Sequence, residues 1–310
     1  MSALQRYGTP LALAVLAAVL AIASPDGFGR FSNLLNVTQQ CALIAIVAFG
    51  ATFPMAAGEF DLSVGAVASF TGIGSIALLE AGFGPALAVP LALAGGALVG
   101  VVSGTLVARF KVPSFIATLA VGTMVGGLTF AACGGATLFG GMTPAFRALA
   151  RGTTLGVPTP TLWMVVAAVV AALVLDRVEF GRRLYAVGGN AEAARLAGLP
   201  VRRDLVAAFV ASALLAGLAG VLLAARLGSA TPTGGSAFLL QSYAAVFLGM
   251  TCFRDGEPNI PGTLVGAVLI AVLANGLTIL GLGNDIQDVA TGAIIVGAVL
   301  VRRLAARADE

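Results

Sequence analysis

The chain has 310 residues, of which 59% are hydrophobic and 10% charged, and its formal net charge is +3. With a mean hydropathy of +1.02, the chain has more apolar surface than a water-soluble core of this size could bury, so a soluble domain is excluded and a protein embedded in a lipid bilayer is predicted. The small positive charge follows from arginines beside apolar segments and does not indicate a nucleic-acid partner.

Apolar segments of helical length recur along the whole chain. A membrane-crossing helix needs about 20 residues, whereas a barrel strand needs about 10 and alternates polar with apolar residues. These segments do not alternate, so we predict an all-α, polytopic membrane helix bundle that forms a single domain over residues 1–310. The ten predicted spans are 8–24, 34–55, 62–80, 86–108, 115–132, 161–176, 205–225, 238–253, 261–280 and 286–301.

The basic residues divide unequally between the two sides of this predicted bundle. With ten spans both termini lie on one side, and the opposite side receives only Arg30, Arg147, Arg151 and Arg226 of the seventeen Lys and Arg residues. Cytoplasmic loops of membrane proteins carry an excess of basic residues. We therefore expect both termini, and the long polar loop at 177–204, to face the cytoplasm.

Small residues recur at every fourth position of the fourth span. They are Ala92, Gly96, Gly100 and Gly104. This spacing places them on one stripe of a helix, where another helix backbone can approach closely.

Two carboxylates interrupt the apolar sequence between the second and third spans, in the segment MAAGEFDLSVG at 55–65. Asp61 has two interpretations. Its carboxylate can cap a helix that starts at Leu62, because the first-turn N–H groups of a helix lack backbone partners. Alternatively, Glu59 and Asp61 take a direct part in transport, as charged groups inside membrane segments often do.

Other polar residues inside or beside the spans are candidates for a solute pathway. They are Asn36, Gln39, Gln40, Gln241, Ser242 and Asn275, to which Glu59 and Asp61 are added. Polar groups at this depth are costly unless they face protein, water or substrate. Hydrogen bonds between helices explain each of them equally well.

The loop at 177–204 contains the pattern of a short capped helix. Asn190 is a suitable N-cap, and the negative charge of Glu192 is stabilising near the positive end of the helix dipole. Gly198 followed by Pro200 ends the helix. We predict a helix over about 191–197, with Glu192 paired to Arg195 and with Ala193, Ala194 and Ala197 forming a small, smooth surface. The alternative is a loop that only connects two membrane helices.

Several residue types and motifs are absent, and this narrows the chemistry. The chain has no histidine, which excludes a histidine proton relay, a histidine-bearing metal site and a Ser-His-Asp triad. The three cysteines occur singly and are interpreted as buried hydrophobic residues, so no metal site is predicted. No G-x-x-x-x-G-K-[ST] sequence occurs, so the chain is not expected to bind ATP by that motif or to be an enzyme. No span has a polar stripe along its length, as a channel would need.

Five segments resemble one protein family and occur in the same order as in that family. They are EFDLSVGAVASFTG at 59–72, VPSFIATLAVGTMVGGL at 112–128, FGRRLYAVGGNAEAARLAGLPVRR at 180–203, LAGLAGVLLAARLGSATPTGG at 215–235 and AAVFLGMTCFRDGEPNIPGTLVGAVLIAVLANGLTILG at 244–281. Together they resemble the membrane permease subunit of ribose-type ABC importers for simple sugars. The resemblance covers nearly the whole chain.

This resemblance implies a permease of the bacterial inner membrane that moves a sugar or similar small polar solute by alternating access. The implied partners are two cytoplasmic ATPase subunits, a second permease (identical or related) and a periplasmic sugar-binding protein. ATP and Mg²⁺ would be bound by the ATPase, and this chain would hold no cofactor. The matching loop carries the ATPase-coupling residues of that family, here Gly188, Gly189, Asn190, Glu192, Ala193, Ala194, Arg195, Leu196 and Gly198.

The chain departs from the family pattern at two places. Glu59 adds a carboxylate before the DLSVG motif, and residues 253–258 replace a glycine-rich stretch. These departures bear on which substrate is carried more than on the transport mechanism, so we do not assign ribose as the substrate. The rival hypothesis is an ion-coupled secondary transporter that uses Glu59 and Asp61.

Overall fold

The computed structural model describes residues 3–154, 156–254 and 256–308 as a bundle of α-helices, which confirms the predicted fold class. The helices are α1 (Ala3–Ala23), α2 (Phe31–Ala56), α3 (Val64–Glu80), α4 (Pro85–Ala108), α5 (Ser114–Cys133), α6 (Pro144–Ala148), α7 (Thr159–Asp176), α8 (Glu179–Gly189), α9 (Ala191–Leu196), α10 (Val201–Leu227), α11 (Ser236–Gly249), α12 (Ile260–Ile279) and α13 (Asn284–Ala308). Strands β1 (Thr153–Thr154) and β2 (Val157–Pro158) form a short antiparallel pair between α6 and α7.

Each of the ten predicted spans overlaps one helix, namely α1 to α5, α7 and α10 to α13. Six of these helices, α2, α4, α5, α7, α10 and α12, are long and apolar enough to cross a membrane. Helices α3 and α11 have only 17 and 14 residues, which is short of the roughly 20 residues that a straight crossing needs. The number of crossings therefore stays a prediction, while a membrane protein with several spans is established.

The helix ends follow from local sequence. Helices α5 and α10 are followed by Gly134 at φ +61° and Gly228 at φ +78°, a left-handed conformation that glycine adopts without steric cost. Asn259 precedes α12, and its side-chain oxygen accepts a hydrogen bond from the N–H of Gly262 at 2.8 Å. Such caps satisfy backbone groups that the helix itself leaves unpaired.

Helix α10 lies at the centre of the bundle, where it packs against α2, α3 and α4. The predicted small-residue stripe of α4 forms the closest of these approaches. A Cβ atom on Gly100 would lie 2.7 Å from the carbonyl oxygen of Phe209, and one on Gly104 would lie 2.8 Å from the Cα of Val206. Any larger side chain at these positions would force α4 away from α10, which confirms the predicted close approach.

Burial separates inner from outer helices. About two-thirds of the apolar window of α2 (67%) and of α10 (61%) is buried inside the protein, but only 28% in α4 and in α7. The outward faces of α4 and α7 carry exposed leucine and valine side chains, such as Leu98 and Val169. Because such side chains are stable in hydrocarbon, we interpret these faces as lipid-facing.

The basic residues lie at one end of the bundle. We define the basic end as the end that holds α8, α9, the start of α10 and the α4–α5 and α11–α12 connections, with Arg109, Lys111, Arg177, Arg182, Arg183, Arg195, Arg202, Arg203 and Arg254. At the opposite end, the Arg151 side chain donates to the carbonyl of Arg226, and Arg226 donates to the carbonyl of Gln39. This sorting matches the predicted distribution, although the orientation in the membrane stays a prediction.

Candidate functional site

Helix α9 forms where the sequence predicts it and is closed at its N-terminus by Asn190. The backbone of Asn190 is extended, with φ −161°, and its side-chain oxygen accepts a hydrogen bond from the N–H of Ala193 at 2.9 Å. Glu192 lies in the first turn, near the positive end of the helix dipole. The helix ends at Leu196, one residue before the predicted end.

The C-terminus of α9 is also capped. Gly198 has φ +83° and its N–H donates to the carbonyl of Arg195 at 3.0 Å, while the N–H of Leu199 donates to the carbonyl of Ala194 at 3.1 Å. This pair of bonds is a Schellman motif, which satisfies carbonyls that the last turn leaves free. A six-residue helix is too short to be stable alone in water, so the caps at its two ends help to keep it folded.

The surface of α9 differs from the smooth alanine face that the sequence predicts. Ala194 is buried, with 6% of its surface exposed, whereas Leu196 is 76% exposed. The predicted pair forms, since Arg195 hydrogen-bonds to Glu192 and holds the pKa of that carboxyl below its usual range. The prediction for Ala194 was wrong because this residue seats α9 on the protein, and the outward feature is a leucine flanked by Ala193 and Ala197.

Helix α8 precedes α9 directly and was not predicted. It spans Glu179–Gly189, and its buried residues Gly181, Leu184 and Val187 follow the three-to-four-residue period of a helix. This apolar period was the available signal, but arginines and glycines between the apolar positions make the segment resemble a polar loop. The loop at 177–204 therefore contains two consecutive helices instead of one.

An ion pair between half-buried Arg183 and buried Asp204 fixes α8 to the start of α10. The Arg183 side chain donates two hydrogen bonds to the carboxylate of Asp204, at 2.8 and 2.9 Å, and one to Glu179 at 2.8 Å. Asp204 is buried, and its hydrogen bonds raise the pKa of the Arg183 guanidinium above its usual range. Two parallel bonds to one carboxylate fix both distance and angle, so α8 and α10 are held in one orientation.

A second set of contacts joins α8 to α2 and to the α11–α12 connection. Gly188 lies so close to the backbone of Ala56 that a Cβ atom on it would overlap the Ala56 carbonyl oxygen. The Tyr185 hydroxyl donates to the carbonyl of Pro258 at 2.7 Å, and burial raises the pKa of this phenol to about 12, so it stays protonated at neutral pH. Arg254 lies over the ring of Tyr185, 5.4 Å from its centroid.

Arg254 also connects this assembly to the end of α7. Its guanidinium pairs with Asp176, the last residue of α7, at 2.8 Å. Helices α8 and α9 are thus fixed at their base to α2, α7, α10 and the α11–α12 connection. A force applied to α9 would therefore reach four parts of the bundle.

The polar segment between α2 and α3 is an irregular break and not a helix start at Leu62. Helix α3 begins at Val64, and the N–H groups of residues 60–62 are bound by side chains of other helices. The N–H of Phe60 donates to Ser114 Oγ at 3.1 Å, that of Leu62 to Thr118 Oγ1 at 2.9 Å, and that of Asp61 to the Tyr243 hydroxyl at 2.6 Å. Side chains of α5 and α11 thus hold the break in place.

Asp61 uses one of its two carboxylate oxygens within this break. Its Oδ1 accepts hydrogen bonds from the N–H of Ser63 at 3.0 Å and from the Ser63 hydroxyl at 2.5 Å, so it binds the residue before α3 and not, as predicted, the first-turn N–H groups of that helix. Its Oδ2 is buried and has no hydrogen-bond partner among the described residues, and the same holds for the nearby Ser212 hydroxyl on α10. Asp61 therefore lies inside the helix bundle.

Glu59 lies at the junction of two cavities at the basic end. A cavity of about 300 Å³ contains Glu59, Phe60, Tyr185 and Glu257, and one of about 1030 Å³ contains Glu59 with Lys111, Glu192 and Arg195. The two departures from the family pattern thus meet in the smaller cavity, since Glu257 belongs to the stretch 253–258. Asp255 of that stretch lies outside the described residues.

The other candidate pathway residues do not gather into one site. Asn275 is buried on α12 and makes a reciprocal amide pair with Asn33 of α2, at 2.9 and 3.0 Å. The Ser242 hydroxyl donates to the carbonyl of Leu239. For these two residues the structure shows hydrogen bonding within the bundle. Asn36 is exposed, and the remaining half-buried candidates are Gln39, Gln40 and Gln241.

The fold and the basic end define an integral membrane protein of several helical spans, whose polar loop is rigidly connected to the spans. The sequence profile of one family, described as "Branched-chain amino acid transport system / permease component", matches residues 33–299. The chain belongs to this family.

Three curated relatives cover nearly the whole chain. The ribose import permease protein RbsC of Bacillus subtilis is 39% identical over 301 residues, covering 97% of this chain and 93% of the relative. The L-arabinose ABC transporter permease protein AraH of Azospirillum brasilense is 33% identical, covering 96% and 87%. The D-allose transport system permease protein AlsC of Escherichia coli is 32% identical, covering 96% and 92%. The chain is thus a transport permease of the ABC importer type, and no relative supports the ion-coupled alternative.

Proposed function

We propose that this chain is the sugar-translocating permease of an ABC importer and that α9 is the element through which the ATPase drives it. The single observation that carries the coupling role is Leu196, a large apolar side chain that is 76% exposed on a helix closed at both ends. A helix that presents an apolar residue to water suits a partner groove.

A sugar is favoured as the solute because the three relatives are named for ribose, L-arabinose and D-allose. The family description names branched-chain amino acids instead, but the relatives at 32–39% identity cover nearly the whole chain and are named for sugars. Five- and six-carbon sugars both occur among these names. The proposal therefore extends to a sugar or similar small polar solute and not to one sugar.

The docking surface would be small and centred on Leu196. Burying a leucine side chain contributes about 1.5–3 kcal/mol, and a few central residues commonly dominate an interface. Ala193 and Ala197 beside it allow a groove wall to approach closely. The Glu192–Arg195 pair would lie at the rim, where an exposed ion pair adds orientation more than affinity.

Movement of α9 would be passed to the spans as a rigid-body displacement. Gly188 and Gly189 end α8, and Asn190 begins α9 without an intervening loop. The bidentate Arg183–Asp204 pair then connects this unit to α10. Since α10 packs against α2, α3 and α4, a shift of its end can open the bundle towards one side or the other.

Along the solute path, we propose that Glu59 and its two cavities line the cytoplasmic exit. The cavities open at the end of the bundle where α8 and α9 lie, so a movement of these helices would change their shape. Asn36, Gln39, Gln40 and Gln241 remain candidates for the opposite entrance.

The proposed setting is the bacterial inner membrane, with both termini and the loop at 177–204 in the cytoplasm. Residues 1–310 would act as one permease domain beside a second identical or related permease. Two ATPase subunits would bind ATP and Mg²⁺, and a periplasmic binding protein would deliver the solute. The chain contains no G-x-x-x-x-G-K-[ST] sequence, which favours hydrolysis by a partner.

The coupling role is tested by replacing Leu196 with Glu in the assembled importer. A charge at the centre of an apolar contact should weaken co-purification of the ATPase at least tenfold and lower ATP-driven sugar uptake with it. The matched control is Leu280→Glu, the same change at an exposed leucine at the far end of α12, which should leave co-purification unchanged. Normal ATPase binding by Leu196→Glu would refute the assignment of α9.

A further inference from the structure

A groove of about 690 Å³ runs between α4 and α10 on the outer surface of the bundle. Its mouth lies at the basic end and is formed by Arg109, which follows α4, and by Arg202 and Arg203 in the first turn of α10. Its floor is apolar and includes Val206, Val210 and Leu214. Ala108, Arg202 and Arg203 also line the cavity of about 1030 Å³ beside Glu59, whereas the apolar floor from Val206 to Leu214 belongs to this groove and none of the residues proposed for coupling lines it.

The three arginines at the mouth differ from three other arginines of this end. Arg183, Arg195 and Arg254 each pair with a carboxylate. Among the residues that the structure describes, no carboxylate lies within 4 Å of the Arg109, Arg202 or Arg203 guanidinium groups, and all three side chains are exposed. The mouth is therefore a concentration of positive charge without an internal counter-ion.

The depth of the groove matches half of a bilayer. From Arg203 to Leu214 the floor follows one face of α10, because residues 203, 206, 210 and 214 recur every three or four positions. Eleven residues of helix span about 16 Å, and the hydrocarbon core is about 30 Å thick. The groove thus extends from the membrane surface to about the middle of the bilayer, the space that an acyl chain of one leaflet fills.

We propose that this groove binds one anionic phospholipid, with its phosphate at Arg109, Arg202 and Arg203 and an acyl chain along α10. Guanidinium groups match phosphate oxygens in pairs of parallel hydrogen bonds, and basic pockets between membrane helices commonly bind anionic headgroups. A second permease is less suited to this position, because it would have to supply both the missing negative charge and an apolar ridge. The lipid supplies both.

The test is native mass spectrometry of the purified, delipidated permease complex titrated with phosphatidylglycerol and, separately, with phosphatidylcholine. Binding should favour phosphatidylglycerol. Each basic residue near an anionic surface contributes about fivefold to binding, so Arg109→Gln with Arg203→Gln should weaken phosphatidylglycerol binding roughly 30-fold. The control removes the same charge elsewhere at the basic end, as Arg177→Gln with Arg182→Gln, and should leave phosphatidylglycerol binding unchanged.

Two further variants separate this site from a folding defect and from a protein contact. Arg109→Lys with Arg203→Lys keeps the charge and should retain most of the binding. Ala211→Trp fills the apolar floor and should abolish retention of the lipid while the number of permeases in the complex stays the same. Equal binding of both lipids, equal loss in both glutamine pairs, or dissociation of a permease pair by Ala211→Trp would each overturn the proposal, the last by identifying the groove as a subunit interface.

Discussion

Two polar segments interrupt the apolar helices, and their backbone hydrogen bonds are satisfied in opposite ways. In α9, the side chain of Asn190 and the carbonyls of residues 194 and 195 bind N–H groups within ten residues of sequence. In the break before α3, the N–H groups of residues 60–62 are bound by side chains of α5 and α11. The hydrogen bonds of α9 thus stay within its own segment, whereas those of the break are made with side chains of α5 and α11.

This difference indicates what each segment can do. A self-contained helix can move as a unit without breaking its own bonds, provided that its base transmits the movement. A shared break cannot move without disturbing α5 and α11 together. We therefore interpret α9 as the moving part and the break as a fixed internal element around which the spans pack.

The largest loss of stability is expected at the ion pair that joins α8, the base of α9, to α10. Arg183→Ala leaves the buried carboxylate of Asp204 without its partner, and a buried charge that loses its partner is destabilising. Thermal unfolding of the purified permease should show a clear decrease in midpoint. Arg182→Ala, at an exposed neighbour with no carboxylate partner among the described residues, is the control. Arg183→Ala combined with Asp204→Ala should be less harmful than Arg183→Ala alone, and equal midpoints would contradict this account.

An intermediate effect is expected in the break. Tyr243→Phe removes the hydroxyl that accepts the buried N–H of Asp61 among the residues that the structure describes, and an unsatisfied buried donor costs about 1–3 kcal/mol. The half-buried Tyr185, whose hydroxyl bonds to Pro258, serves as the control, since water can replace part of that bond in Tyr185→Phe. A denaturation midpoint that falls more for Tyr185→Phe would show that the break is not held as described.

Asp61→Asn distinguishes a structural role of the Asp61 carboxylate in this break from a role in transport. The amide keeps an oxygen for the Ser63 bonds and gains N–H groups that can reach the unpaired hydroxyl of Ser212. We expect stability and ATP-driven uptake close to those of the wild type, whereas Asp61→Leu should lower both. Loss of uptake with unchanged stability in Asp61→Asn would assign this carboxylate a transport role instead.

The smallest effect is expected for the cap of α9. Asn190→Ala removes the bond to the N–H of Ala193 and should cost about 1 kcal/mol, while Asn190→Asp keeps the acceptor and should cost little. Because only α9 loses order, amide hydrogen exchange should increase about fivefold at residues 193 and 194, whose N–H groups bind Asn190, with no change in the global unfolding midpoint. A global decrease in the midpoint would show that α9 is not self-contained.

The sequence predicts those features whose causes lie close together in the chain. The caps of α9 and the close approach at Gly100 follow from residue type and spacing, and both are confirmed. Burial of Ala194, exposure of Leu196 and the existence of α8 depend on packing against α2 and α10, which a local pattern does not contain. The pairing of Asn275 with Asn33 likewise joins residues 242 positions apart, so the amide could be predicted as polar but not as paired.

The most direct test of the central claim is site-specific photo-crosslinking from position 196 in the assembled importer, with position 280 as the control. If α9 is the contact with the ATPase, a probe at 196 should crosslink to the ATPase subunit and change its yield when ATP is added, while a probe at 280 should not reach it. Crosslinking of the ATPase from 280 but not from 196 would contradict the account.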